Sequence, residues 1–116
     1  MSLRDQILEA DDIERSTVHV DQWGVDVEVR TMSAVQRSRM LQACTLGDGN
    51  IDLDRLYPML IIACVFDPDS GAPVFTDDDM QVLQEKSAAS IEAVATVAMK
   101  MSGMTAKAVD DEGKDS

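Results

Sequence analysis

The tightest constraint on what this chain can fold into lies between Asp11 and Thr31, where valines alternate with polar residues on both sides of a break. Val18 and Val20 alternate with His19 and Asp21. Beyond Gln22-Trp23-Gly24, Val25, Val27 and Val29 alternate with Asp26, Glu28 and Arg30. A period of two puts the valines on one face of an extended chain and the polar set on the other. The spacing predicts a β-hairpin over about 16–31, with Asp21 opening the reversal and Gly24 supplying the backbone freedom it needs. An isolated two-stranded hairpin is marginal in water, so its valine face requires cover.

That cover reads as helical. Ser2 caps a helix over 3–10, with Asp5 in its first turn and Leu3, Ile7 and Leu8 as its apolar side. Ser33 and Gln36 form a capping-box pair for a helix over 33–45, whose apolar side is Val35, Met40, Leu41, Ala43 and Cys44. Asp52 or Asp54 starts a helix over 53–66, with Pro58 expected in its first turn. Met59 to Phe66 is apolar all round and therefore central; a buried strand competes, and capping and length favour helix. Thr76 ahead of Asp77, Asp78 and Asp79 starts a helix over 77–86 anchored by Met80, Val82 and Leu83. A last helix over 88–102 carries Ile91, Val94, Ala95, Val97, Ala98 and Met101, and Gly103-Met104 ends it. The expected fold class is α+β: an N-terminal hairpin against four to five helices, one domain over 1–104, with a flexible acidic tail at 105–116.

Twenty-two acidic against ten basic residues give a formal net charge of −12, which argues against nucleic acid or an anionic membrane as partner. The residues are 45% hydrophobic but only 3% aromatic, with eight methionines, so the core is aliphatic and adaptable. The N-terminal segment carries no apolar signal core and no apolar run is long enough to span a bilayer, which predicts a cytoplasmic protein. Cys44 and Cys64 fall in apolar periodic stretches and read as reduced and buried.

Sites for chemistry are scarce. His19, the sole histidine, sits on the polar side of a strand, and buried cysteines disfavour a thiolate. Neither glycine-bearing acidic loop has EF-hand register: the ligand slots counted from Gly49 fall on Cys44, Leu46 and Arg55, and the turn-glycine slot counted from Asp67 falls on Ala72. The Asp77-Asp78-Asp79 run is accounted for by a helix start. The expectation is a non-enzymatic protein with no cofactor and no metal. Arg30, Arg37 and Arg39 stand out in so acidic a chain, either as a solvated face or as a docking site for an acidic partner.

Several elements in order resemble the tail assembly chaperones of long-tailed bacteriophages. They are Ala10-Asp11-Asp12-Ile13, Trp23-Gly24-Val25, Val27-Glu28-Val29-Arg30, Cys64-Val65-Phe66-Asp67-Pro68, Gly71-Ala72-Pro73-Val74-Phe75 and the Lys86-Ser87 junction, spread over residues 3 to 104. The resemblance implies a protein that binds the tape measure protein and keeps it soluble while tail tube protein assembles around it. It also implies a place in the host cytoplasm rather than in the finished virion, and leaves room for self-association around the client. Many such proteins are made in a second, longer form by ribosomal frameshifting, and Gly113-Lys114 is compatible with a slippery codon run.

Candidate partner contacts are Trp23 at the hairpin tip, Arg30, Arg37 and Arg39, and Met99, Met101 and Met104 near the last helix end. For Trp23, a lid over the core is an equal alternative. Two other functions compete with the chaperone: a virion component such as a head–tail connector or minor tail subunit, and an acidic mimic of nucleic acid. The scatter of acidic residues at helix starts argues against the mimic.

Overall fold

A computed structural model describes residues 2–104. The chain runs α1 (Leu3–Glu9), β1 (Arg15–Val20), β2 (Val25–Arg30), α2 (Ala34–Cys44), α3 (Leu53–Cys64), β3 (Val65–Phe66), a 3₁₀ turn (Asp77–Asp79), α4 (Met80–Gln84) and α5 (Ala88–Met101). It is an α+β fold, with helices covering one face of a small antiparallel sheet. The expected 105–116 tail and Gly113-Lys114 lie outside the described residues.

The hairpin forms as its alternation dictates. Val18 pairs with Val27 and Val20 with Val25, so the valines share a face. Val20, Val27 and Val29 are buried, whereas Val25, next to the turn, stays exposed. Gly24 takes φ +65° and its N–H donates to the Val20 carbonyl at 2.8 Å, a conformation a side chain would strain. On the solvent face, His19 Nδ1 lies 2.6 Å from Asp26 Oδ1.

The sheet has a third strand that the helix expected to continue to residue 66 conceals. α3 stops at Cys64, and Val65 and Phe66 pair with Val29 and Glu28 of β2 in the order β1-β2-β3. Two causes act together. The approach to Pro68 disfavours helical backbone, and β2 has a free ladder edge that a β-branched residue suits. β2 becomes the central strand, and its Val29 is fully buried on the face that the helices cover.

Pro58 is also placed differently from expectation. It is the sixth residue of α3 and lies inside the helix, where proline leaves the carbonyl four residues back without its donor. That carbonyl belongs to Asp54, and the Gln84 side-chain amide donates to it at 3.2 Å. The helix is kept whole by a residue of α4.

The capping signals give the helix ends their places. Ser2 Oγ accepts from the Asp5 N–H, and Ser33 and Gln36 make both bonds of the capping box at 3.3 and 3.0 Å. Asp52 caps α3, and the Thr76 N–H donates to Asp79 Oδ2 at 2.8 Å. α5 ends with Gly103 at φ +71°, its N–H on the Lys100 carbonyl and the Met104 N–H on the Met99 carbonyl, the paired bonds of a Schellman motif. Met104 thereby folds back into the core.

α3 and α5 pack most extensively against each other, joining Leu56, Leu60, Ile61 and Cys64 to Ile91, Val94, Ala95 and Ala98 beneath the sheet. The alanines permit the close approach the sequence implied. Three apolar sets do not reach this core. Leu3, Ile7 and Leu8 are 72%, 63% and 65% exposed, because α1 is only seven residues long and buries none of them. Val35 on α2 and Val82 on α4 are exposed too. Val82 lies about 100° round the short α4 from the buried Leu83, on a side that no other element covers. Of Val74-Phe75, only Phe75 packs on the core.

Candidate partner-binding surface

Two concave surfaces with apolar walls lie where α4 meets the starts of α3 and α5 on one side and the hairpin tip on the other. One cleft, of ≈ 560 Å³, is walled by Leu53, Tyr57 and Pro58 of α3, Leu83 and Gln84 of α4, and Ile91 of α5. A second, of ≈ 410 Å³, is walled by Trp23, Phe75, Asp79 and Val82. Leu83 and Lys86 line both, so the two clefts adjoin across these residues, and the pair is called the groove below. Its rim carries Asp54, Glu92 and Asp79 against the single ammonium of Lys86.

Trp23 covers part of the core, as the lid reading expects, and its remaining surface is open to solvent. It is half-buried and packs on the core, and the rest of its ring faces the open cleft. Position at the hairpin tip produces this: the turn carries the indole past the end of the sheet, over Phe75 and Leu83.

The three arginines are not gathered around one cleft. Arg30 is engaged structurally: its guanidinium stacks on the Phe66 ring at 4.1 Å, pairs with Glu28, and donates to the Gly71 carbonyl at 3.4 Å. It fastens β2 to β3 and to the turn after it. Arg39 is exposed on α2 and borders a cleft of ≈ 490 Å³ with Met40, Met59 and Ile62; Arg37, on the same helix, is half-buried.

Burial corrects two of the three methionine candidates. Met99 and Met104 are 8% and 1% exposed and belong to the core, so neither is presented to a partner; Met101 is half-buried. The Schellman turn is the cause for Met104, and the inward stripe of α5 for Met99. The groove residues Leu53, Tyr57, Phe75, Val82 and Lys86 are absent from the sequence-derived candidates. The signal available for Val82 was its adjacency to Leu83 in a helix too short to be buried all round.

Both cysteines are free and buried. Burial pushes the Cys44 thiol up to about 11, with Arg55 opposing in part, and the Cys64 thiol up to about 12. Cys44 Sγ donates to Met59 Sδ at 3.4 Å. Among the described residues, no group of three or more His, Cys, Asp or Glu could hold a metal ion, and no helix is long and apolar enough to cross a membrane.

No protein-family model matches the sequence, and no curated protein matches it. Among solved structures, the chain is similar to the tail assembly chaperone of bacteriophage HK97, with a TM-score of 0.62 and 24% identity over 84% of this chain and 91% of that one. The two proteins share a fold.

Proposed function

We propose that this protein is a phage tail assembly chaperone, a non-enzymatic partner that binds a tape measure protein and keeps it soluble during tail tube assembly. The observation that carries the reading is the fold shared with the HK97 tail assembly chaperone over most of both chains. Two properties support it. A net charge of −12 keeps a chaperone soluble while it holds an aggregation-prone client, and the groove beside Trp23 offers the client apolar surface. On this reading the protein acts in the cytoplasm of the bacterial host and is absent from the finished particle.

Co-expression with the tape measure protein of the same phage tests it. The client is expected in the soluble fraction and in the eluate of a tag on this chain. A client that stays insoluble with and without the partner overturns the reading, and recovery of this chain from purified particles supports a virion component instead. Intact mass of the native gene's products, expressed with the downstream DNA, tests the longer form. A minor species diverging near Gly113-Lys114 is expected.

A further inference from the structure

We infer that the groove running from Leu53 and Tyr57 past Leu83 and Lys86 to Trp23 and Val82 is the docking site for an amphipathic helix that carries basic residues beside its apolar stripe. The inference rests on the chaperone reading for its natural client, and on four observations for its chemistry.

The groove keeps large apolar side chains in water: Val82 is 56% exposed and Leu53 49%, with Trp23 and Phe75 between core and solvent. Exposed large apolar side chains gathered in adjoining clefts are the kind of surface that marks an interaction site. Its walls are side chains of three helices, the hairpin tip and the segment leading into α4, with no free strand edge among them, so a docked polypeptide finds no ladder to extend. A helix, whose backbone bonds are satisfied internally, suits such a site, and strand addition does not.

Charge selects among helices. Asp54, Asp79 and Glu92 on the rim outnumber Lys86, and the chain as a whole carries −12. An acidic helix meets repulsion along the groove, and a basic one is steered into it. Finally, the two clefts are separated by Leu83, so the occupant presents apolar anchors on both sides of that residue, as successive turns of one helical face do.

The full-length protein reports on the site by itself, because Trp23 is its only tryptophan and lines the groove. The probes are two synthetic peptides of about 18 residues, five helical turns, with the same leucine stripe and either lysine or glutamate on the polar face. Saturable quenching or a shift of Trp23 emission is expected with the leucine–lysine peptide and not with the leucine–glutamate one. Val82→Asp and, independently, Leu53→Asp are expected to weaken binding about tenfold or more, ~1.4 kcal/mol. Val35→Asp, on the exposed side of α2, is expected to leave it unchanged. All three substitutions add one negative charge, so general attraction to lysine rises equally and only loss of the apolar seat lowers affinity.

Equal binding by all variants, equal binding of both peptides, or no binding of the lysine peptide overturns the inference. Concentration-dependent self-association abolished by Val82→Asp, with no peptide bound, assigns the groove to a second copy and overturns it too. The co-expression assay separates this inference from the function. Wild type and Val82→Asp both keeping the tape measure protein soluble removes the groove and leaves the chaperone. Failure of the wild type removes the chaperone reading whatever the peptides do.

Discussion

The side-chain amide of Gln84 donates to the backbone carbonyl of Asp54 at 3.2 Å, taking the place of the N–H that Pro58 lacks. A helix interrupted by proline is thereby completed from a neighbouring helix, and the α3–α4 contact gains a polar fastening beside the groove.

Removing that donor exposes the cost of the proline. Gln84→Ala is expected to destabilise the domain by about 0.5–1 kcal/mol, a fall of roughly 3–6 °C in Tm for a domain of this size. In a Pro58→Ala background the helix supplies its own N–H, and Gln84→Ala should then be close to neutral. Thermal melts of the four proteins in the cycle measure the coupling. Equal losses in both backgrounds would show that Gln84 acts through something other than this bond.

Met104 is a core residue held by a turn. Met104→Ala is expected to cost roughly 2–5 kcal/mol, as for other buried large-to-small changes. Met101→Ala, at a half-buried site, should cost clearly less. Gly103→Ala strains the φ +71° position and is expected to destabilise by about 1 kcal/mol. Urea midpoints check all three, and a tolerant Met104 would mean that the chain end is not docked as described.

Arg30 requires its planar group. Arg30→Lys keeps the charge near Glu28 but loses stacking on Phe66 and reach to the Gly71 carbonyl. The expected loss is about 1 kcal/mol, mostly from the ring contact and the polar fork. Arg39→Lys, on an exposed position, should be neutral. Equal stability of the two variants in denaturant titration would remove Arg30 from the sheet's supports.

The thiols set an alkaline limit. Both are held above their ordinary value of 9.0, Cys44 at about 11 and Cys64 at about 12, so the folded state binds those protons more tightly than the unfolded one. The associated stability is complete below pH 9.0 and is lost as pH rises through about 11 to about 12. At pH 8, a thiol reagent should label neither cysteine until denaturant is added. Rapid labelling of native protein would contradict the burial of both groups.

Much of the fold is legible in local chemistry. The valine alternation, Gly24, Ser33 with Gln36, and Gly103 with Met104 each act over a few residues, and each forms as its pattern dictates. What local pattern could not express depends on partners distant in sequence. Val65-Phe66 becomes strand because β2 has a vacant edge, and Pro58 is tolerated because Gln84 lies opposite Asp54. The groove is obscured for the same reason. Leu53 and Val82 come from separate segments and read as ordinary helix apolars until α3, α4 and the hairpin tip converge. The methionine candidates show the converse failure, since an apolar residue near a helix end gives no sign of whether a turn will tuck it inward.

The passage from Cys64 to Val65, helix to strand with no residue between, leaves the chain intolerant of length change at that seam. One residue inserted in the last turn of α3 would rotate the preceding helical stripe by about 100° relative to the strand. Holding the helix in place instead would slip β3 by one position and turn Val65 outward. Neither half can absorb the error for the other. Insertions and deletions among descendants of this sequence should therefore collect in the 46–50 and 67–74 connections and spare the stretch from Met59 to Phe66.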